Sequence, residues 1–143
     1  MVCGMALVRS PMAAAIWKHH NPSDDVVALA TMAYHVGRLP NHRVAAALHA
    51  SGYSPLADHR SVQLRGTDLW DADRVLCMDV FNLTDVARFD RPGHDDGAKV
   101  SLLGVTSIVD PTGPYGDRNF TRLLHECEDA ILAWSKAILA DGP

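Results

Sequence analysis

Short apolar runs alternate along this chain with segments of helical pattern, and that alternation narrows the choice of folds more than any other feature. Residues 25–30 (DVVALA), 74–78 (RVLCM) and 99–103 (KVSLL) each read as a buried strand. Residues 11–20 (PMAAAIWKHH) form a strong helical segment, with Ser10 as N-cap, Pro11 at the first helical position and Asn21-Pro22-Ser23 as its end. A second helix spans residues 41–51, capped by Asn41 and closed by Gly52. Residues 67–70 form one turn, and residues 82–89 a short helix followed by a polar loop, RPGHDDG, at 91–97. A loop rich in Pro and Gly, VDPTGPYGD, occupies residues 109–117. Beyond it, Phe120, Leu123, Leu124, Cys127, Ile131, Trp134 and Ile138 recur at spacings of three and four, the signature of an amphipathic helix. Strands separated by helices predict an α/β sandwich with a mostly parallel sheet. Ligands of such sheets sit beyond the carboxyl ends of the strands, where strand-to-helix loops meet.

Composition sets the outer limits. At 143 residues the chain is one domain in length, spanning residues 1–143, and 48% hydrophobic with 21% charged residues is the balance of a soluble globular protein. The formal charge of −4 argues against nonspecific binding of nucleic acid. No apolar run approaches the ~20 residues that cross a bilayer, and no signal-peptide pattern is visible, so a cytoplasmic protein without a membrane partner is expected. Three cysteines, Cys3, Cys77 and Cys127, are too scattered for a disulfide framework or a CxxC metal site. The eight histidines are scattered too, and no metal or cofactor is expected.

Chemistry concentrates in Cys3-Gly4-Met5-Ala6-Leu7-Val8-Arg9-Ser10, a Cys-x5-Arg-Ser stretch that opens onto a helix N-terminus. Backbone N–H groups converging at a helix start cradle a tetrahedral oxyanion, here from Gly4, Met5, Ala6, Leu7 and Val8. A guanidinium such as that of Arg9 binds two phosphate oxygens as a fork. Positive surroundings favour a cysteine thiolate as nucleophile at neutral pH. Ser10 can donate to the sulfur and stabilise it as a leaving group. Taken alone the spacing is a common one, equally served by a buried cysteine and a surface arginine.

The stretch VCGMALVRSPMAAA resembles the active-site signature of low-molecular-weight protein tyrosine phosphatases, a VCxGNxCRSPMAEA-type segment. Further along, DHRSVQL at 58–64 is similar to that family's GHxARQL stretch, and DADRVLCMDVFNLTDV at 71–86 to its ADLILVMD strand and following helix. KVSLLG at 99–104 resembles the strand before the family's acid loop, and Asp110-Pro111 its Asp-Pro pair. The resemblance covers nearly the whole chain with its motifs in order. It implies a three-layer sandwich with a four-stranded parallel sheet flanked by helices. The reaction it implies is hydrolysis of a phosphorylated protein or small phosphomonoester through a phosphocysteine. Cys3 would be the nucleophile, Arg9 the phosphate ligand, and Asp110 the general acid and then base. Asp-Pro also starts ordinary turns, so Asp110 has a structural reading beside the catalytic one. Tyr34 with His35, and Tyr115, could wall the site around an aromatic ring, or stand as loop residues without a ligand.

The chain departs from the family pattern in places that bear on function. Met5 and Ala6 replace a Gly-Asn pair suited to a left-handed turn and to side-chain hydrogen bonds, so Gly4 is expected to take over the flexible point. Ala30-Thr31-Met32 stands where the family has Ser-Ala-Gly. In the family a His resembling His59 ties the loop through the Asn; with Ala6 there, His59 is expected to be a satisfied surface or core histidine. Only Met1 and Val2 precede Cys3, so the central first strand is expected to be truncated, with strand residues lying upstream or the sheet closed unusually. These departures keep open a phosphate-binding or regulatory homologue without turnover. Arsenate reductase is disfavoured because Cys77 and Cys127 read as small buried hydrophobes fifty residues apart. A protein-arginine phosphatase is disfavoured because the loop lacks a Thr, although Thr112 follows Asp-Pro as that activity prefers.

Overall fold

In the computed structural model, residues 1–89, 93 and 99–142 are described. The elements run β1 (Val2–Cys3), α1 (Arg9–His20), β2 (Leu29–Ala30), α2 (His42–Ala50), α3 (Gly66–Asp71), β3 (Val75–Cys77), α4 (Val80–Ala87), β4 (Val100–Leu102) and α5 (Phe120–Asp141). The four strands form one parallel sheet in the order β2-β1-β3-β4. The polar loop expected at 91–97 lies, apart from Gly93, outside the described residues.

Strand alternation builds two cores. On one face Cys3, Leu76, Met78 and Leu103 meet Met12, Ile16 and Trp17 of α1, Leu48 of α2, and Leu123, Leu124, Cys127 and Ile131 of α5. On the other, Val2, Val75 and Cys77 meet Leu69 of α3 and Val86 of α4. The middle of α1 is buried all round, because the helix lies between the sheet and α5. Its Ala13, Ala14 and Ala15 let those layers close in, with only methyl groups between them.

The strands are shorter than the apolar runs. Residues 25–30 supply only Leu29 and Ala30 to the sheet, because β1 beside them offers two paired residues: Val2 against Leu29, and Cys3 against Ala30. The central strand is short, as expected, and its carbonyls are all paired. Leu29 N–H donates to Met1 O at 2.9 Å, Met78 N–H to Val2 O at 3.0 Å, and Thr31 N–H to Cys3 O at 3.0 Å. The outer edge of β2 is covered by Val62 O and Leu64 N–H, which bond Ala30. All loops that follow the strands, residues 4–8, 31–41, 78–79 and 103–119, open at the same end of the sheet.

Ser10 is not the cap of α1. The helix begins two residues earlier than expected, at Arg9, Val8 occupies the N-cap position without a side-chain bond, and the Ser10 hydroxyl is engaged by Cys3. Asn41 caps α2 as expected, accepting from Arg43 N–H at 3.0 Å.

Candidate active site

Between the end of β1 and the start of α1 lies a loop of five residues, Gly4 to Val8, that follows Cys3 directly. The loop is held by its carbonyls. Met32 N–H donates to Gly4 O at 3.0 Å and Asn41 N–H to Leu7 O at 2.9 Å. Ser61 Oγ donates to Met5 O at 2.6 Å, and His59 Nε2 to Ala6 O at 2.9 Å. In a trans peptide the N–H points opposite the C=O. Four carbonyls drawn outward therefore turn the N–H groups of Met5, Ala6, Leu7 and Val8 to the inner side, and that of Ala6 reaches Cys3 Sγ at 3.3 Å. The Cys3 thiol also bonds Ser10 Oγ at 3.1 Å, in the first turn of α1. This is a backbone nest at a helix N-terminus, a geometry that binds oxyanions.

Two expectations about this loop need correction. The left-handed residue is Ala6, at φ +54°, and not Gly4. A single methyl is the smallest side chain that can accept this conformation, at a cost of about 1–2 kcal/mol. And His59 belongs to the loop after all: with no amide side chain to hold, it bonds the backbone carbonyl of the same residue. The buried Thr31 hydroxyl has no hydrogen-bond partner among the described residues.

Arg9 is buried and shares one nitrogen between two anchors. Nη1 donates to Asp79 Oδ2 at 2.6 Å and to Ile108 O at 2.9 Å. The other oxygen of Asp79 caps α4, accepting from Asn82 N–H at 2.8 Å. One carboxylate thus fixes both the arginine and the helix after β3. Asp79 and Ile108 were missed in the sequence because nothing local marks them: they meet Arg9 across 70 and 99 residues. The available signal was position, since Asp79 follows the apolar run 74–78 directly and so stands at the carboxyl end of the strand.

Asp110 is brought to this end of the sheet by Ile108, two residues before it. Its Oδ1 accepts from Thr112 N–H at 2.9 Å and Thr112 Oγ1 at 2.8 Å, an arrangement that folds the loop around the carboxylate. The loop turns so tightly that a Cβ on Gly116 would collide with Pro111 O. Tyr34 and Tyr115 both project into solvent, 83% and 93% exposed, on the loops after β2 and β4. Cys77 and Cys127 are fully buried, and burial pushes both thiols up to about 12. Among the described residues no cluster of His, Cys, Asp and Glu suits a metal ion, and no helix is long and apolar enough to cross a membrane. A cleft of about 580 Å³ lies at the opposite, amino end of the strands, where Asp24, Asp25, Asp71 and Asp73 outnumber Arg74. Its acidic wall is the wrong sign for a phosphate.

Comparison with known proteins bears on the family and the fold. Residues 1–142 match the family model of the low molecular weight phosphotyrosine protein phosphatases. The low molecular weight phosphotyrosine protein phosphatase of Sus scrofa is 32% identical over 139 residues, covering 88% of this chain and 85% of the relative. Its counterpart in Gallus gallus is 29% identical over the same coverage. Among solved structures, Wzb of Vibrio vulnificus in complex with benzylphosphonate superposes with a TM-score of 0.84 at 20% identity, covering 95% of this chain and 94% of that one. YfkJ of Bacillus subtilis gives 0.85 at 20% identity, covering 99% and 94%. These structural likenesses establish the same fold.

Proposed function

The chain belongs to the low molecular weight phosphotyrosine protein phosphatase family, and from that premise we propose that it is a phosphatase that hydrolyses phosphotyrosine, with Cys3, Arg9 and Asp110 as its catalytic residues. The observation that carries the reading is the loop whose four outward carbonyls turn its amides inward around Cys3, with Ser10 on the sulfur and Arg9 clamped beside it.

The steps follow from these positions. The phosphoryl oxygens bind the amides of Met5 to Val8 and the guanidinium nitrogens of Arg9 that Asp79 and Ile108 leave open. The Cys3 thiolate attacks phosphorus, the P–O bond to the tyrosyl oxygen breaks, and Asp110 gives that oxygen its proton. A phosphocysteine remains. Asp110, now a carboxylate, takes a proton from water as the water oxygen attacks phosphorus. The S–P bond breaks, inorganic phosphate leaves, and Ser10 donates to the returning thiolate. Residues 1–143 act in this reading as a single domain, and the substrate is a phosphorylated protein or a smaller phosphomonoester.

A phosphate-binding homologue without turnover is the competing reading, motivated by the replacement of the family's Gly-Asn by Met5-Ala6. The His59 bond to Ala6 O supports turnover, because it keeps the loop closed without the Asn. Hydrolysis of p-nitrophenyl phosphate by the wild-type chain, abolished in Cys3→Ser, is the expected result. Equal background in both proteins, with phosphate still bound, would establish the competing reading.

A further inference from the structure

Two stretches of backbone meet over Arg9, and both carry apolar side chains outward. Asp79 and Ile108 are the two anchors of its Nη1. Val80 and Phe81 follow Asp79, and Val109 follows Ile108. Val80 N–H donates to Ser107 Oγ at 3.2 Å, so the two stretches are also tied to each other. Phe81 is 75% exposed, Val105 is fully exposed, and Val80 and Val109 are about half exposed. Four exposed apolar side chains therefore stand one to three residues from the groups that hold the phosphate-binding arginine, a shelf carried by these two joined stretches. The shelf belongs to the β3–β4 side of the sheet. Across the mouth, on the β2 side, the corresponding loop carries Tyr34, His35 and Arg38, with Arg60 bonded to Gly37 O.

Resting on the phosphatase reading above, we infer that this shelf is a specificity surface which selects protein substrates with an apolar or aromatic residue close to the phosphotyrosine. An exposed apolar patch of this kind marks a binding surface. Its continuity with the Arg9 clamp says whose. A phosphorylated side chain that reaches Cys3 brings its own neighbours onto the rim, about 3.3 Å apart per residue in an extended chain. Charge narrows the occupant further. Residues 79–87 and 104–111 contain no Lys or Arg, so an acidic flank finds no partner there, and neither does an anionic lipid surface, which needs basic residues around the apolar ones. The β2 side, with its arginines, tolerates acidic residues; the β3–β4 side does not reward them.

The test compares phosphotyrosine peptides of matched length, with Leu, Phe or Glu placed one to three positions to either side, and uses p-nitrophenyl phosphate as the flank-free reference. An apolar flank on one side should raise kcat/KM about tenfold over Glu, carried mainly by KM. Phe81→Ser, and independently Val105→Ser, should flatten that preference; both side chains are at the surface and are not needed for the core. A wild-type chain that hydrolyses p-nitrophenyl phosphate yet treats all peptides alike overturns the shelf and leaves the phosphatase reading standing. So does a preference that both variants retain. Loss of self-association, or of binding to phosphatidylglycerol vesicles, in Phe81→Ser with no change in peptide preference would assign the patch to a second copy or a membrane and overturn the inference. Failure to hydrolyse any substrate would instead overturn the phosphatase reading beneath it.

Discussion

His59 Nε2 lies 2.9 Å from the carbonyl oxygen of Ala6, the one residue of the Cys3 loop in the left-handed conformation. The bond spans 53 residues and pins the loop where its own side chains give it least support. Removing the donor in His59→Ala leaves that carbonyl unpaired at a half-buried position, at about 1–2 kcal/mol. Turnover of p-nitrophenyl phosphate should fall about tenfold or more. His59→Gln, which keeps an N–H donor, should recover part of both. Denaturant midpoints and kcat measured on the same variants check this; equal losses in the two would contradict a hydrogen-bonding role.

Asp79 has two partners, and its removal should be felt twice. In Asp79→Ala, α4 loses its N-cap, worth about 1 kcal/mol. Arg9 loses the ion pair that stands against its burial, with side chains only 8% and 17% exposed. The combined loss should be about 2–4 kcal/mol, read by urea unfolding. Inhibition by inorganic phosphate should weaken in parallel, because the guanidinium is no longer aimed.

The acid assignment is tested by leaving group. Asp110→Asn should slow hydrolysis of phosphotyrosine by at least tenfold more than hydrolysis of an ester whose leaving group is already acidic. A uniform loss across a series of aryl phosphates would reduce Asp110 to a residue that shapes its loop through Thr112.

Tyr53 offers a pH prediction away from the site. Burial, and then the hydrogen bond it donates to Glu128, push its phenol up from the ordinary 10.0 to about 12. The folded state holds this proton more tightly than the unfolded chain. The stabilisation is therefore complete below pH 10 and disappears as pH rises through about 12. Ultraviolet titration should show a late phenolate step near pH 12 that is missing from Tyr53→Phe.

How much of this was legible in the sequence depended on whether the signal was local. The spacing from Phe120 to Ile138 specifies α5 because one face of a helix repeats every three to four residues. Asn41 announces α2 by a contact only two residues long. Ser10 misled for the same reason: a serine before proline has the local look of a cap, but its hydroxyl is claimed by Cys3, seven residues back. The strand at residues 25–30 came out short because pairing depends on what the neighbouring strand offers. The tie between His59 and Ala6 escaped because it uses a backbone carbonyl, and every residue has one. The Arg9 clamp escaped because Asp79 and Ile108 acquire their meaning only when β1, β3 and β4 lie side by side.

Buried Cys77 and Cys127, their thiols held near 12 by burial, should resist alkylation at neutral pH in the folded chain. Any labelling at Cys3 should be slowed by inorganic phosphate, which would occupy the amides of the Cys3 loop. Labelling of all three at similar rates would mean that the chain is open around its core.

The most direct measurement is to trap the intermediate. The wild-type chain mixed with excess p-nitrophenyl phosphate and quenched in acid within milliseconds should carry one phosphoryl group, and peptide mass spectrometry should place it on Cys3. A chain that releases p-nitrophenol while Cys3 stays unmodified at every quench time, or that turns over equally well as Cys3→Ser, would contradict the account.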